Sequence, residues 1–464
     1  MIDGTATLAR RLERYRSATR QPVPHPATAA RSGDLARRLA DALDGEIVQS
    51  QEGVIVRCEG PTRPLPVDRA RLATLPGQPS RDTPLVCLDT ETTGLATAAG
   101  TVAFLIGLGW WESDRFRQVQ LLLPDHGEER ALLTALQATI PASAWLVTYN
   151  GRGFDWPLLV ARYRLARRSA PAHAGHVDLL PIVRRLFRHR MPDARLRTAE
   201  AELLGLQRVG DVEGWEIPGR YLGFLRGGSA ADLVEVVRHN DQDVRSLGHL
   251  LAHVENQLGD PGRRSEAPPG DLAGLARSFA REHRLREALD CLDAAVDRPV
   301  GVTLRQGSTT TAARSHAHDE AWWSPRRPAD FGGHSARTTM PPSSRASRRA
   351  LIDERWTAER IAIDRAHLLR RVGRHADAAE AWSALAAGPG RTAIVATIEL
   401  AKLQEHRLGH RPAALRTALR GLEMVDRRRR LGWPEPELMA DLIRRTTRLR
   451  VIMARQPENS RPER

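Results

Sequence analysis

A short apolar segment that runs directly into two acidic residues constrains this chain most. In LVCLDTETTGL, residues 85–95, four apolar residues precede Asp89 and Glu91, which a single threonine separates. The apolar run is typical of a buried β-strand, and residues at i and i+2 of a strand point to the same side. Two like charges therefore lie side by side at the carboxyl end of the predicted strand. A divalent cation that prefers oxygen ligands would offset their repulsion. Alternatively, the strand leaves the core there and TTG begins a turn.

Two further acidic residues are associated with predicted helices. Asp155 follows a predicted strand, WLVTYNG at 145–151, and begins an amphipathic helix, for which capping is the alternative role. Asp243 lies four residues after His239 in a long helix, and both fall on the line of its apolar side. The alternative for Asp243 is an ion pair with an arginine such as Arg245.

The segments around these acids predict an α/β domain with a mixed sheet. LVCLDTE, TVAFLIGLGWW and FRQVQLLL predict three successive strands in a meander, and GEERALLTALQATI predicts an amphipathic helix. Residues 34–80 predict an accessory helix and β-hairpin, and residues 1–33 predict a flexible N-terminus.

The order of the four acids resembles the DEDD superfamily of RNase H-fold 3′→5′ exonucleases, and within it the YprB-like ribonuclease H-like family. The matching motifs are Asp-x-Glu at 89–91, Asn-Gly-x-x-Phe-Asp at 150–155, and His-Asn at 239–240 ahead of Asp243. The resemblance covers residues 84–256 and implies an RNase H-like mixed sheet flanked by helices.

The resemblance also implies an activity, a metal-dependent 3′→5′ exonuclease that hydrolyses phosphodiester bonds of DNA or RNA by a two-metal mechanism. It implies that two Mg²⁺ or Mn²⁺ ions are held by Asp89, Glu91, Asp155 and Asp243. An inactive nucleic-acid-binding protein of the same fold and a helical-repeat scaffold are the alternatives, and the intact acids argue against the first. No base-reading motif is evident, so the sequence does not distinguish DNA from RNA.

The remaining residues of the motifs are assigned to catalysis or to the substrate. His239 would be the general base, although DEDD enzymes place a Tyr four residues, or a His five residues, before the last Asp, so a His at the tyrosine spacing leaves this role open. Substrate contacts would come from Thr92, Asn150, Phe154 and Asn240. Phe154 is alternatively a core side chain beneath its loop. Asp178 would cap the following helix or orient a metal ligand.

Beyond residue 256 the sequence predicts an all-α region. A helical pair is expected at 271–296, a disordered linker rich in Ser, Thr, Pro, Gly and Arg at 297–354, and further helices at 355–452. Gly373 and Gly409 lie 36 residues apart and open similar segments, a period that resembles degenerate tetratricopeptide repeats. Such repeats would offer a surface for a protein partner, and an irregular helical bundle is the alternative.

Composition bears on partners and compartment. The chain has 70 basic and 56 acidic residues, a net charge of +14, which agrees with a nucleic-acid partner. Because Lys402 is the only lysine, biased coding also accounts for the excess. The arginine run at 427–430 is interpreted as a solvated helix end, with phosphate contact as the alternative. Three cysteines without paired spacing fit a reducing cytoplasm, and no apolar run is long enough to span a membrane.

Overall fold

The computed structural model describes residues 29–94, 100–296 and 344–455, which belong to two compact units that divide near residue 294. The predicted flexible N-terminus lies outside the described residues as far as residue 28, and the first helix begins at Ala29. The predicted linker lies outside them from 297 to 343. The next helix begins at Ser344 instead of at residue 355.

The first unit contains one sheet, and helices precede, separate and follow its strands along the chain. Its elements are, in order, α1 (Ala29–Leu43), β1 (Glu46–Ser50), β2 (Gly53–Glu59), β3 (Arg63–Pro64), α2 (Arg69–Thr74), β4 (Leu85–Thr92), β5 (Ala103–Glu112), β6 (Arg115–Leu122), α3 (Glu129–Thr139), β7 (Trp145–Thr148), α4 (Asp155–Leu165), β8 (Gly175–Asp178), α5 (Leu179–Phe187), α6 (Leu196–Ala199), α7 (Ile217–Leu225), α8 (Val234–Leu258), α9 (Pro269–Arg281) and α10 (Leu285–Val296).

The strands form one mixed sheet in the order β1-β2-β6-β5-β4-β7-β8, with β3 also paired to β6. β4, β5 and β6 are antiparallel neighbours, whereas β7 and β8 run parallel to β4, so the predicted mixed sheet is confirmed. The hairpin β1–β2 is an extension of this sheet, because β2 pairs antiparallel with β6. The helix and hairpin predicted at 34–80 therefore share a core with the rest of the sheet.

Helix α8 packs closely against β5 because two glycines of that strand leave room for it. A Cβ atom at Gly107 would lie 2.1 Å from the Asn240 Oδ1 atom, and one at Gly109 would lie 2.9 Å from the Val244 side chain. Burial of the apolar side of α8, including Leu247, stabilises this approach. The helix is thereby held against β5 and against β4, which carries the first two acids.

The helical pair α9–α10 belongs to the first unit. α9 packs on α5, and a Cβ atom at Gly274 would lie 2.4 Å from the Arg185 carbonyl oxygen. Phe279 of α9 is completely buried. A fragment intended to contain the whole first unit therefore has to extend to residue 296.

The second unit is all-helical, as predicted. It contains α11 (Ser344–Arg371), α12 (His375–Ala386), α13 (Gly390–His406), α14 (Arg411–Arg430) and α15 (Pro436–Ala454), each packed on the next. Gly373 and Gly409 have φ values of 83° and 70°, so the same left-handed turn recurs at an interval of 36 residues. The tetratricopeptide resemblance itself stays a prediction.

Two further sequence predictions concern cysteines and membranes. All three cysteines are buried free thiols. Among the described residues, every helix is too short or too polar to cross a bilayer.

Candidate active site

The candidate site lies at one edge of the sheet, where three parallel strands end. Because β4, β7 and β8 run in the same direction, their carboxyl ends meet at this edge. Asp89 and Glu91 lie on the last part of β4, and Asp155 is the first residue of α4 after β7. α8 packs on β4 and β5 and brings Asp243 to the same place.

The tightest group in the site consists of Glu91, His239 and Asp243. One ligand atom from each of them lies within 4.8 Å of the other two. Asp89 and Asp155 lie outside this group, but their charges act on it. Burial raises the pKa of Asp89 well above its usual range, and repulsion from Asp243, Asp155 and Glu91 raises it further. All four acids of the sequence motifs therefore belong to one electrostatic cluster.

The pKa values of the other three acids are also raised. Burial is the main cause that raises the pKa of Glu91 to about 8, although the charge of His239 acts in the opposite direction. Burial also raises the pKa of Asp155 and that of Asp243, despite the hydrogen bonds that each accepts. A cation in the cluster would relieve this repulsion and favour the ionised carboxylates.

The donor set fits Mg²⁺ or Mn²⁺. Carboxylate oxygens are the ligands that these hard cations prefer, and an imidazole is tolerated by Mn²⁺. The acids of the site, counting Glu200 and Asp211 beside them, are six in number against the two basic groups of Arg208 and His239. Divalent ions would compensate this excess of negative charge.

Hydrogen bonds orient three of the four acids. Asn240 donates its Nδ2 to the Asp89 Oδ2 atom at 2.9 Å, and Thr90 donates its hydroxyl to the Asp155 Oδ1 atom at 2.6 Å. The Asp243 Oδ1 atom accepts from Arg208. Because each carboxylate is fixed through one oxygen, the group is oriented before any ion binds.

Asn240 does not have the substrate-contacting position that the resemblance implied. Its side chain is completely buried, and its Oδ1 atom accepts from Gln120 at 3.1 Å while its Nδ2 donates to Asp89. The residue follows His239 by one position, so on the helix it faces the sheet at Gly107 instead of the open side. Asn240 therefore orients Asp89.

The segment between β7 and α4 presents Phe154 to solvent. Phe154 occupies the N-cap position and is 52% exposed, so the interpretation as a core side chain is wrong. Asp155 is the first helical residue and is held by Thr90, so capping is not its role.

Asp178 fixes the same segment. Its Oδ1 atom accepts from the Leu180 N–H at 3.1 Å, which caps α5, and from the Asn150 N–H at 2.7 Å. Asn150 has a φ of 69°, a left-handed conformation that asparagine tolerates. Thr92 donates its hydroxyl to the Gly94 carbonyl at 2.6 Å at the end of β4. The capping role predicted for Asp178 is confirmed, and its orientation of a metal ligand stays a prediction.

A buried network around Arg208 was not predicted from the sequence. The Arg208 guanidinium donates to Glu200 at 2.6 Å and to Asp211 at 3.0 Å, in addition to Asp243. Arg208 is therefore the ion-pair partner of Asp243, whereas Arg245, the predicted partner, pairs with Asp241. Arg208 and Asp211 lie in a loop without helical or strand periodicity, so no sequence pattern pointed to them.

The same network holds His239. Its Nδ1 atom lies 2.8 Å from the Asp211 Oδ1 atom, and its Nε2 atom lies 3.5 Å from the Asp243 Oδ2 atom. Burial alone would lower the pKa of His239, but the hydrogen bond to Asp211 and the charges of Asp243 and Glu91 raise it to about 9. The partner carboxyl responds in the opposite sense, because His239 and Arg208 outweigh burial and lower the pKa of Asp211 to about 2.

Arg208→Gln is expected to destabilise the first unit by about 3 kcal/mol, because it leaves the buried Glu200 carboxylate without its ionic partner. Urea unfolding measures the loss. Arg197→Gln is the matched control, since Arg197 pairs with Glu213 at the surface and its loss should cost less than about 0.5 kcal/mol. Equal stability of the two variants would show that the Arg208 network does not hold the loop.

Comparison with known proteins shows what the part of the chain that contains this site is similar to. Residues 86–255 match the RNase_H superfamily, and this range includes all four acids and His239. The chain is 35% identical over 218 residues to a protein described as "Uncharacterized protein YprB" from Bacillus subtilis (strain 168), which is 46% of this chain and 52% of the relative. The chain thus spans about half the length of the curated relative that it matches. Residues 86–255 are therefore similar to the RNase_H superfamily, in a chain that is also similar to YprB.

Proposed function

We propose that the first unit is a divalent-metal-dependent nuclease that hydrolyses phosphodiester bonds, and more specifically a 3′→5′ exonuclease. The observation that carries the proposal is the cluster of four half-buried, mutually repelling acids at the carboxyl edge of the sheet. Such a cluster destabilises a protein that binds no cation, since each buried carboxylate is disfavoured in its ionised form. A role in holding metal ions explains why all four are present together.

The acids would act as metal ligands. Asp89, Glu91 and Asp243 would hold the ions directly, and Asp155 would complete the second position. When bound, Mg²⁺ or Mn²⁺ supplies a water of lowered pKa and neutralises charge on the scissile phosphate. Asn240, Thr90 and Arg208 would keep the carboxylates in their orientations while the ions and the substrate exchange.

The exposed residues beside the acids would bind the end of the substrate. Phe154 offers an exposed aromatic ring directly before Asp155, and such a ring can stack on the terminal base. Asn150 and Thr92, on the segments that follow β7 and end β4, would contact the sugar or the phosphate. Stacking and phosphate contacts are the same for DNA and RNA, and no residue is assigned to a sugar 2′-hydroxyl, so the proposal covers both.

The experiment that tests this proposal is digestion of oligonucleotides labelled at one end. Purified protein is incubated with single-stranded DNA or RNA that carries a 5′ label, with Mg²⁺ or Mn²⁺ or with EDTA. A 3′→5′ exonuclease shortens the labelled product step by step, whereas the opposite polarity releases a labelled mononucleotide first. Ion-independent binding without any cleavage would instead identify an inactive nucleic-acid-binding protein.

A fragment of residues 29–296 is expected to retain the metal-dependent hydrolysis of short oligonucleotides. All candidate ligands lie within it, and it includes α9, whose packing on α5 completes the core. Cleavage by fragment and full chain is compared at equal concentration on the same oligonucleotide. A folded fragment, verified by circular dichroism, that has lost all cleavage would show that the second unit contributes to the site.

A further inference from the structure

The turn between α14 and α15 exposes two large apolar side chains beside a run of arginines. Trp433 is 65% exposed and Leu431 is 70% exposed; Leu431 directly follows Arg427–Arg430, and Trp433 comes two residues later. We call residues 427–433 the arginine–tryptophan turn. Two large apolar side chains exposed at one turn beside clustered arginines mark a candidate contact surface.

The arginine–tryptophan turn holds the indole in a defined place. Gly432 has a φ of 84°, and the Trp433 N–H donates to the Arg428 carbonyl at 3.0 Å, an arrangement common at helix ends. The Arg428 guanidinium lies 5.0 Å from the centre of the Trp433 ring, and Glu435 accepts from Arg428 at 3.2 Å. The ring is therefore ordered by its own unit and still accessible, which lowers the entropy cost of binding to it.

Acidic neighbours neutralise only part of the charge of the arginine–tryptophan turn. Asp426 accepts from Arg429 at 2.6 Å and from Arg430 at 2.9 Å, so one carboxylate serves two guanidinium groups. Glu435 is likewise shared, since it also pairs with Arg391 at 3.1 Å. Each carboxylate thus leaves a net positive charge at the turn.

The excess of positive charge extends into both helices beside the turn. Residues 411–455 contain twelve arginines and five acidic residues, a net charge of +7, which is half of the +14 of the whole chain. Several of these arginines are exposed, among them Arg416, Arg420, Arg444 and Arg450. A polyanion is the partner that such a surface attracts.

A purely structural role accounts for only one part of this arrangement. Basic residues in the last turn of a helix interact favourably with the helix dipole, which explains where Arg427–Arg430 lie in α14. The dipole gives no reason for an ordered and exposed indole beside them. Arginine together with an exposed aromatic ring is the combination that binds phosphates and unpaired bases.

We propose that the arginine–tryptophan turn binds single-stranded nucleic acid, with arginines on the phosphates and Trp433 stacked on an unpaired base. The choice of nucleic acid among polyanions rests on the nuclease function proposed for the first unit, but this binding needs no divalent ion. Because stacking requires an unpaired base, a single strand binds more tightly than a duplex of equal length.

The test uses the full-length protein and a fluorescein-labelled oligothymidylate in EDTA, with affinity measured by fluorescence anisotropy. EDTA removes any hydrolysis, so the result does not depend on whether the first unit is a nuclease. Trp433→Ala is expected to weaken binding about 5- to 100-fold through loss of base stacking. Trp433→Phe keeps a stacking ring and is expected to bind within about 3-fold of the unmodified protein.

Variants at arginine positions test the phosphate contacts independently of the indole. The double variant Arg427→Gln/Arg430→Gln is expected to lower the slope of log affinity against log salt by about 1.4, or about 0.7 per lost phosphate contact. Arg371→Gln is the matched control, because Arg371 is also exposed and ends α11 of the same unit. Its slope should equal that of the unmodified protein.

Three results would overturn the proposal. The first is equal affinity of the unmodified protein, Trp433→Ala and the double arginine variant. The second is a duplex that binds as tightly as the single strand. The third is displacement of the oligonucleotide by polyglutamate of equal charge as effectively as by unlabelled oligonucleotide, which would assign the arginine–tryptophan turn to an acidic protein partner. If none of these three results is found and the protein shows no nuclease activity in Mg²⁺, only the function proposed for the first unit is refuted.

Discussion

Asp89→Asn is expected to lower metal-dependent hydrolysis by at least about 10³-fold without loss of the fold. Metal ions contribute several kcal/mol to the stabilisation of such a transition state, and each 1.36 kcal/mol is a factor of ten in rate. Asp89 interacts with all three other acids of the cluster, so its loss weakens the ligand set at its centre. The asparagine oxygen can still accept the hydrogen bond from Asn240.

Thermal unfolding separates metal binding from catalysis in the same variant. Without divalent ions, Asp89→Asn should be at least as stable as the unmodified protein, because it removes a buried charge that its neighbours repel. Added Mn²⁺ should raise the melting temperature of the unmodified protein and of the control Asp82→Asn, which changes an exposed acid, but should raise that of Asp89→Asn much less. Equal stabilisation of all three by Mn²⁺ would place the ions elsewhere.

His239→Gln is expected to lower the rate about 10²- to 10⁴-fold at saturating metal if His239 is the general base. The structure holds the imidazole between Asp211 and Asp243, with Nε2 facing the acid cluster. Neighbouring carboxylates raise the pKa of His239 to about 9, so the imidazole is protonated at neutral pH before ions bind. A base has to be neutral, and bound cations would shift the equilibrium in that direction.

The alternative for His239 is an orienting role, and the same variant distinguishes it. If His239 only fixes Asp243 or serves as a metal ligand, the loss in rate should be small or should be recovered by more Mn²⁺. His410→Gln, an exposed histidine of the second unit, is the control for the substitution itself. A rate of His239→Gln equal to that of the control at every Mn²⁺ concentration would exclude both roles.

The parts of the site that local patterns describe were predictable. An apolar run that ends in Asp-x-Glu predicts a strand with two carboxylates on one side, and β4 has this form. The periodicity of α8 likewise placed His239 and Asp243 on one line. The parallel arrangement of β4, β7 and β8 then brings the motifs to one edge, which is a property of the fold class.

The parts that depend on contacts distant in sequence were not predictable. Arg208 contacts Asp243, which is 35 residues away in the sequence. Because the chain has many arginines, the sequence does not indicate which of them pairs with Asp243. Asn240 and Phe154 were both assigned to the substrate side from a motif. Asn240 is instead buried, because it packs against Gly107, whereas the loop before α4 leaves Phe154 exposed. The sequence indicated the helix α9, but it did not indicate that α9 packs on α5.

The most direct test of the central claim is the cleavage of a 5′-labelled single strand by the purified full-length protein, with Mn²⁺ and with EDTA, alongside Asp89→Asn and Asp243→Asn. We expect stepwise shortening from the 3′ end in Mn²⁺, and no cleavage in EDTA or by either variant. Cleavage that persists undiminished in both variants, or in EDTA, would contradict the assignment of the acid cluster as the metal-dependent active site.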